Sequence, residues 1–349
     1  MIQKLGRIIC AFALALVIFI VANGTINLFS AFSPKSEQAI SVSNLKGAAA
    51  ISQKKLRILS FNTGYASLGE EADSKKEGGR GKRVDADTVL KNARGISELV
   101  NLSNSDAVML QSVDIDSYRS RYVDQYSYYL NNASFSSAYA TDHKSRSTSF
   151  LPPYKKVTSG VLTLSKREIS SAKRVALPNL FSSVSASQPR RCMLVTEFAI
   201  ENSSKKLVLI NFELDAYLSD EAKKEQTAEV IKYAEKAAES GDYVIAGGSF
   251  YRVFDDTRDR YPLSDRLHWE PSQMSFDELP KELTLCYDPT VPTARILSAP
   301  YDRESEERQV YVSDGYILSS NLQIDMIVTV DQEFRYSSHN PVLLEVTLK

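Results

Sequence analysis

The sequence is poor in the residues from which metal and disulfide sites are most often built. In 349 residues it has three cysteines and three histidines: Cys10, Cys192, Cys286, His143, His268 and His339. So few cysteines exclude a disulfide framework, and the scarcity of both residue types argues against a zinc site. A single disulfide between Cys192 and Cys286 stays open, because the sequence does not fix the geometry of the pair.

The chain also lacks an excess of charge of either sign. Lysine and arginine total 42 and aspartate and glutamate total 43, which gives a formal net charge of -1. A near-neutral chain has no overall field to hold a nucleic-acid backbone, so nucleic acid is not a favoured partner. With 43% hydrophobic residues, 14 glycines and 12 prolines, the composition excludes a disordered, collagen-like or many-span membrane protein.

One long hydrophobic run is present, and it lies at the N-terminus. Residues 8–22 contain no polar side chain, and a weaker apolar stretch follows to residue 32. We predict a transmembrane signal anchor over 8–28, with residues 1–7 in the cytoplasm because Lys4 and Arg7 precede the span. The rest of the chain would then lie on the extracytoplasmic side of the cell membrane, as a single-pass protein. A cleaved signal peptide stays open, although no convincing small-x-small cleavage site is present.

The segment after this span is rich in serine, alanine and lysine and has no apolar period. Residues 29–54 are therefore predicted to be a flexible linker, and the folded domain is predicted to occupy residues 55–349. A stretch within that domain, residues 67–83, combines basic residues with glycines. This pattern indicates either solvated surface or a phosphate-binding loop.

Beyond the linker, short β-rich runs alternate with helical patterns. The strand-like runs are residues 56–61, 106–113, 160–165, 192–200, 206–214 and 242–248. Several are apolar throughout, which is typical of strands buried on both faces. Residues 219–241 show helical spacing that ends at Gly241, so a βαβ unit is predicted there, and a second helix is predicted over 87–100. The pattern predicts an α/β fold.

Five short segments carry a resemblance to a known superfamily. In chain order they are LRILSFN (56–62), DAVMLQSVD (106–114), LINFELDAY (209–217), VIAGGSFY (244–251) and DGYILSSN with SSHNPV (within 314–342). Their order resembles the endonuclease/exonuclease/phosphatase superfamily, whose deoxyribonuclease I-like members show a strand ending in Asn, then LQE, N-x-H-L, G-D-F-N and S-D-H. The resemblance covers residues 55–349. Three further segments, 111–125, 190–195 and 292–295, resemble a bacterial, membrane-anchored branch.

The resemblance implies a fold and a chemistry. The fold is a four-layer α/β sandwich of the deoxyribonuclease I-like type, here preceded by one transmembrane helix, with the site at one edge of two packed sheets. The chemistry is phosphoester hydrolysis assisted by a divalent cation that carboxylates hold. In the family a buried Asp orients the attacking water, and His residues stabilise the transition state.

Carried over residue by residue, the family motifs are only partly retained. The positions that match the family are Asn62, Asn211, Asp314 and His339. The positions that have changed type are Ser112 for the Glu of LQE, Glu213 for the His of N-x-H-L, Ser249 and Tyr251 for the Asp and Asn of G-D-F-N, and Ser338 for the Asp of S-D-H. The resemblance therefore implies a degenerate active site.

The chemistry of these changes disfavours the family reaction. Ser112 and Ser338 replace carboxylates with neutral hydroxyls, so no metal site is predicted, and Ser249 is no base near neutral pH. Glu213 would repel a phosphate. We predict a pseudoenzyme that binds a phosphate-containing ligand or a protein partner, or acts as a scaffold. The alternative is an active phosphodiesterase or phosphatase with an altered site, which would use Mg²⁺ or Mn²⁺.

Three questions stay open at the level of the sequence. Asn62, Asp314 and His339 either hold an anion or form a structural hydrogen-bond cluster. A displaced metal site is a further alternative, built from Asp114, Glu213 and Asp215. Four arginines either form surface and interstrand salt bridges or line a cleft for phosphate: Arg119, Arg121, Arg190 and Arg295. His143 and His268 are predicted to be surface residues.

Overall fold

The computed structural model describes residues 2–29, 31–146, 155–181, 187–305 and 308–349. Its helices are α1 (Ile2–Phe29), α2 (Ala86–Leu102), α3 (Gln125–Asn131) and α4 (Asp220–Glu239). Short 3-10 helices lie at Gly64–Ala66, Lys75–Glu77, Asp255–Thr257 and Phe276–Glu278. Helix α4 begins after Ser219, whose side chain accepts from the Ala222 backbone, and α2 begins after Asp85, which accepts from Thr88. Both predicted helices are therefore present and capped as expected.

The strands form two large sheets. The first half of them is β1 (Glu37–Ala39), β2 (Val42–Ser43), β3 (Lys55–Asn62), β4 (Ala107–Asp114), β5 (Ser136–Ser145), β6 (Val157–Ser165), β7 (Ser171–Ala176), β8 (Cys192–Ala199) and β9 (Lys206–Glu213). The second half is β10 (Tyr243–Ser249), β11 (Arg252–Phe254), β12 (Ser272–Met274), β13 (Leu283–Cys286), β14 (Ala294–Arg295), β15 (Val310–Tyr311), β16 (Asp314–Ser319), β17 (Leu322–Thr329) and β18 (Val342–Leu348).

One seven-stranded sheet has the order β1-β7-β8-β9-β10-β16-β13 and the other has the order β17-β18-β3-β4-β6-β5-β2. Residues from both sheets meet in one apolar cluster, which includes Met109 of β4 and Leu194 of β8. The outer face of one sheet packs on α2 and that of the other on α4. The predicted four-layer α/β sandwich is confirmed, because the layers run helix, sheet, sheet, helix.

Strand β4 shows why the central strands are apolar throughout. All of its residues are buried. Ala107 and Met109 point between the sheets, whereas Val108 and Leu110 point toward α2. Successive side chains of a strand point to opposite faces, so a strand covered on both faces has no position for a solvated side chain.

The predicted flexible linker over 29–54 is wrong for much of its length. Within it, β1 pairs with β7 at the edge of one sheet and β2 pairs with β5 at the edge of the other. Ile51 forms a bridge to Ile200 and is buried. Backbone hydrogen bonds hold these edge strands, and polar residues form such bonds as well as apolar residues do. The hydrophobic pattern of the segment therefore gives no sign of the strands.

Helix α1 contains an apolar stretch, Gln3–Thr25, that is long enough to cross a membrane and is not buried against the domain. The cysteines beyond it are not paired. Cys192 on β8 and Cys286 on β13 are both buried and free, and three strands separate them. Four strand spacings amount to roughly 19 Å, far beyond the ~7 Å that a disulfide allows between Cα atoms. The disulfide that the sequence left open is therefore excluded.

Candidate functional site

A cleft of about 410 Å³ opens at one edge of the two sheets. Strands β3 and β4 run parallel in one sheet, as do β9 and β10 in the other, and β16 runs antiparallel to β10. The carboxyl ends of the first four strands and the start of β16 therefore bring polar side chains to this edge. The residues of the predicted site that line the cleft are Asn62, Ser112, Tyr251, Ser338 and His339.

The His339 side of the cleft consists of Asn62, Asp314 and His339. His339 Nδ1 lies 2.6 Å from Asp314 Oδ2, and both side chains are buried. The second carboxylate oxygen of Asp314 is buried with no hydrogen-bond partner in the described chain. The amide of Asn62 donates to Ser249 Oγ at 3.0 Å and to the Tyr251 hydroxyl at 3.1 Å. Asp314 and His339 thus form a carboxylate–imidazole pair, whereas the amide of Asn62 bonds to Ser249 and Tyr251.

Strand β14 helps to fix this pair. Ala294 forms an isolated bridge with His339, and the Arg295 backbone donates to the Ser338 carbonyl. The Thr293 hydroxyl accepts from the Asp314 backbone at 3.0 Å. Because the backbones of both partners are tied to one short segment, the imidazole ring has a defined position at the cleft wall.

Asn211, although it matches a family motif, lies between the two sheets and not at the cleft. Its side-chain amide donates to the Leu110 and Leu162 carbonyls of the opposite sheet, at 3.2 and 3.0 Å. Its oxygen accepts from Gln111 Nε2 at 2.8 Å. All its polar atoms are thereby used in joining the two sheets, and it does not line the cleft. In this chain Asn211 is a structural residue.

The Glu213 side of the cleft consists of Ser112, Asp142, Arg191 and Glu213. The Ser112 backbone N–H and hydroxyl both donate to the Glu213 carboxylate, at 3.1 and 2.8 Å. Ser112 lies at an irregularity between Leu110 and Val113 and has a φ of 56°, a left-handed conformation that directs both donors to one carboxylate. The residue that replaces the family Glu therefore binds the residue that replaces the family His.

Arg191 is the cation of this side, and the sequence analysis did not single it out. Its Nη1 lies 2.6 Å from Asp142 Oδ2 and 3.0 Å from Glu213 Oε2, while its Nε lies 3.7 Å from Asp215 Oδ2. Burial opposes the charged guanidinium, but these carboxylates outweigh burial and raise the pKa of Arg191 well above its ordinary value. Arg191 directly precedes β8, and only its neighbour Arg190 was considered from the pattern.

Arg119 and Lys76 are among the further cations that line the cleft. Arg119 holds Asp114 through two hydrogen bonds, at 2.9 and 3.1 Å, and its guanidinium lies over the Tyr65 ring. Lys76 Nζ lies 4.0 Å from the centre of the Tyr217 ring. The acidic partners lie deeper than the arginines, because the Asp114 and Glu213 side chains have no exposed surface while those of Arg119 and Arg191 keep 30% and 11%. Positive charge therefore faces the cleft.

The four arginines predicted from the sequence divide into two groups. Arg119 and Arg295 line the cleft, and Arg295 donates to the Gly69 and Ala72 carbonyls beneath the 67–83 loop. Arg121 donates to the Val84 carbonyl and Arg190 to the Phe32 carbonyl, both outside the cleft. None of the four is a simple surface ion pair.

The loop 67–83 is packed at some positions and solvated at others: Ala72 and Glu77 are buried, whereas Lys75, Lys76, Arg80 and Lys82 are exposed. The buried Glu77 carboxylate accepts from the Leu297 backbone at 2.6 Å and from the Tyr217 hydroxyl at 2.8 Å. Burial raises the pKa of Glu77 above its ordinary value. These contacts fix the turn that carries Lys76 into the cleft wall, as the phosphate-binding interpretation of this loop requires.

The residues present do not fit a divalent cation. Mg²⁺ and Mn²⁺ need anionic oxygen ligands. The cleft edge offers Asn62, Ser112, Ser249 and Ser338, and the nearby carboxylate of Glu213 is bound to Arg191 and to hydroxyl donors. The two carboxylates that line the cleft are also engaged, Asp73 by the Arg80 and Gly81 backbone and Glu77 by the Leu297 backbone. The displaced metal site is not formed either, since Asp114 is bound by Arg119. In the described ranges no three His, Cys, Asp or Glu residues form a group that could hold a metal.

His143 is the histidine that the sequence analysis placed wrongly. It lies on β5, where its Nε2 is 2.8 Å from the Ser187 carbonyl, and it lines a basin next to the cleft. Burial and the neighbouring Arg119 lower the pKa of His143 to about 4. His268 is exposed, as predicted.

No protein-family model matches this chain, and no curated protein matches it. Solved structures do match it. An endonuclease/exonuclease/phosphatase from Beutenbergia cavernae DSM 12333 has a TM-score of 0.60 at 15% identity, covering 85% of this chain and 72% of that one. One from Bacteroides vulgatus has a TM-score of 0.55 at 13% identity, covering 85% and 100%. The human Nocturnin catalytic domain with bound sulfate has a TM-score of 0.54 at 12% identity, covering 89% and 98%. At these identities the likeness establishes the fold.

Proposed function

We propose, from the premise that this chain has the endonuclease/exonuclease/phosphatase fold, that it is a membrane-anchored pseudoenzyme whose cleft binds a phosphate group without hydrolysing it. One observation carries the proposal: Glu213 is bound by Arg191 and by both donors of Ser112. An internal ion pair therefore stands among the residues that correspond to the family's metal-binding centre. A divalent cation would have to displace a buried guanidinium to reach the carboxylate, which leaves the guanidinium without its partner.

The affinity for phosphate is supported by what faces the cleft. Arg119, Arg191 and Lys76 present positive charge, and the imidazole of His339, held by Asp314, also lines the cleft. Charge-assisted hydrogen bonds of this kind are stronger than those between neutral groups. Among the solved structures of the same fold, that of Nocturnin carries a bound sulfate, an anion of similar shape.

The anchoring is supported by the apolar stretch of α1. Lys4 and Arg7 lie at its N-terminal end, and positive charge at one end of a span favours the cytoplasmic side. We therefore place the N-terminus in the cytoplasm and the folded domain on the extracytoplasmic side of the cell membrane. A thiol-labelling or protease-protection assay on intact cells tests this orientation, and cleavage of the folded domain only after the cells are broken would refute it.

The proposal is tested on the full-length chain in detergent. Inorganic phosphate is expected to raise the melting temperature, because a ligand that binds only the folded state stabilises it. Mg²⁺ and Mn²⁺ are expected to give no binding heat in calorimetry and no turnover of generic phosphodiesters. Metal-dependent turnover that is lost in His339→Ala would refute the pseudoenzyme and establish the altered hydrolase instead. That alternative has one observation in its favour, the retained Asp314–His339 pair.

A set of reversions makes the test sharper. Ser112→Glu, Glu213→His, Ser249→Asp, Tyr251→Asn and Ser338→Asp together restore the family residue types. If the lost ligands are what abolished catalysis, the combined variant should bind Mg²⁺ while the parent chain does not. A matched control restores only Tyr251→Asn and Glu213→His, which adds no carboxylate, and should bind no metal.

A further inference from the structure

The segment that follows the membrane helix is fixed to the domain close to the cleft. The Phe32 carbonyl accepts from Arg190 Nε at 3.4 Å, and the Lys35 carbonyl accepts from the buried Arg174 at 3.2 Å. The Ser36 carbonyl accepts from the Ala176 backbone, and β1 then pairs with β7. The domain therefore holds the chain from residue 32 onward, three residues after the end of α1.

This attachment limits how far the domain can lie from the bilayer. The apolar stretch ends at Thr25 and α1 ends at Phe29. With a rise of 1.5 Å per helical residue and at most ~3.5 Å per extended residue, Phe32 lies within about 16 Å of the end of the span. The headgroup region adds roughly 5–8 Å to each side of the hydrocarbon core. The surface around Phe32 and Arg190 is thus at or just above the lipid headgroups.

The cleft continues toward this attachment. A neighbouring basin of about 610 Å³, here called the outer basin, shares with the cleft Tyr65, Lys76, Arg119, Arg191 and Tyr217. Its remaining wall includes Pro189 and Phe181, together with Lys155. Arg191 lines the outer basin, and the next residue back along the chain, Arg190, holds Phe32. A residue of the basin wall and the residue that holds the anchor segment are therefore adjacent in the chain.

The chemistry of the outer basin fits a phosphate carried on an apolar body. Arg119 and Lys76 each lie against a tyrosine ring, so cationic and aromatic surface alternate along the wall. The carboxylates nearby, Asp142, Glu213 and Asp215, are turned to Arg191 and keep 5% or less of their side-chain surface exposed. Aromatic rings and basic residues are also the side chains that favour the headgroup level of a membrane.

We propose that the outer basin, with its excess of cations, binds the headgroup phosphate of an anionic phospholipid from the leaflet beside which the domain is tethered. The proposal rests on the proposed function for the affinity of the cleft for phosphate, and it adds the source of that phosphate. A lipid in the adjacent leaflet is present at a high local concentration, because the anchor keeps the basin within reach of it.

The first experiment uses the full chain in nanodiscs of phosphatidylcholine, with or without phosphatidylglycerol. Trp269, the single tryptophan, lies against Tyr217 with ring centres 5.8 Å apart, so its fluorescence reports on the basin wall. Phosphatidylglycerol is expected to shift this fluorescence and to protect residues 187–191 from hydrogen exchange. Lys76→Gln should weaken the response about fivefold, because the attraction of one basic residue to an anionic lipid surface contributes ~1 kcal/mol. Lys232→Gln, on the exposed face of α4, is the matched control and should leave it unchanged.

The second experiment separates the lipid from free phosphate. A flexible insertion of about 20 Gly and Ser residues between Ala31 and Phe32 lets the domain move roughly 25 Å farther from the bilayer. The response to phosphatidylglycerol should then fall, whereas the affinity for inorganic phosphate should stay the same. A response that survives the insertion unchanged, or that is absent from the parent chain while phosphate binds, would overturn the lipid proposal alone. Failure to bind phosphate at all would overturn the proposed function as well.

Discussion

The two sides of the cleft use their charged groups in different ways. On the His339 side, one carboxylate binds one imidazole, and a buried oxygen of Asp314 is left without a partner in the described chain. On the Glu213 side, Arg191 contacts the carboxylates of Asp142 and Glu213 at 3.0 Å or less. The first side matches the residue types of the superfamily motifs that the sequence resembles, whereas the second side differs from them and contains an internal ion pair.

This difference shows how the fold can tolerate a carboxylate at position 213. A buried carboxylate is costly unless it is paired and hydrogen-bonded. Here the hydroxyl and the backbone of Ser112 supply two donors, Tyr251 supplies a third, and Arg191 supplies the countercharge. From the sequence alone, Glu213 is expected to repel a phosphate. That expectation considered Glu213 alone, whereas the structure pairs it with a cation that faces the cleft.

The largest expected effect is a loss of stability when the ion pair on the Glu213 side is disrupted. Arg191→Met leaves Asp142 and Glu213 as buried charges without a countercharge, so the free energy of unfolding should fall by about 3–5 kcal/mol. Urea unfolding of the full chain, followed by circular dichroism, measures the change. Arg94→Met, on the exposed face of α2, should change stability by less than about 0.5 kcal/mol. An Arg191→Met variant as stable as the parent would mean that the ion pair does not contribute to stability. If the Met variant does not fold, Arg191→Lys, which keeps the charge, replaces it in the experiment.

The second prediction concerns the pH dependence of stability that His143, a neighbour of Arg119, contributes. The pKa of His143 is lowered to about 4 in the folded chain, whereas an unfolded histidine has a pKa of ~6.5. As pH falls from about 6.5 to about 4, the unfolded chain takes up a proton that the folded chain does not. The free energy of unfolding should therefore fall, by up to about 3 kcal/mol from this residue.

His143→Gln tests this origin, because glutamine retains an N–H for the Ser187 carbonyl but does not titrate. The variant should lose stability less steeply over that pH range than the parent chain. His268→Gln changes an exposed histidine and should leave the slope as it is. Parallel curves for the parent and His143→Gln would contradict the assignment.

The third prediction concerns the His339 side. His339→Ala removes the imidazole that Asp314 positions, and the affinity for inorganic phosphate should fall about tenfold, as expected from a lost charge-assisted hydrogen bond of ~1.5 kcal/mol. Calorimetric titration of the full chain measures it. His339 is paired with Asp314 and not with Arg191. The loss of unfolding free energy caused by Arg191→Met should therefore be the same with and without the substitution at His339. Strong coupling between the two substitutions would show that the two sides act as one unit.

The smallest effect is expected where the two sides meet. The Tyr251 hydroxyl accepts from Asn62 and donates to Glu213, both at 3.1 Å. Tyr251→Phe should lower the free energy of unfolding by about 1 kcal/mol, because Asn62 and Glu213 each retain other partners. Tyr122→Phe, at a half-exposed ring, is the control and should change nothing measurable. A loss as large as that of Arg191→Met would mean that this hydroxyl, rather than the ion pair, holds the site together.

Much of the fold could be predicted because its strands and helices have periodic patterns. Strand β4 is apolar throughout because it is covered on both faces, and α4 begins and ends where its Ser219 cap and Gly241 indicate. The strands β1 and β2 could not be predicted, since backbone hydrogen bonds at a sheet edge leave no mark on side-chain hydrophobicity. Among the site residues, the pattern identified Asn62 and His339 but gave no sign that Asn211 joins the two sheets.

The absence of carboxylates from positions 112, 249 and 338 can be read from the amino-acid sequence without a structure. The pairing of the remaining charges depends on how the two sheets pack. Asp142 lies on β5, Arg191 precedes β8 and Glu213 ends β9, so segments from both sheets are needed to bring them together. The energy of an ion pair depends on distance and burial, and both quantities arise only when the sheets pack.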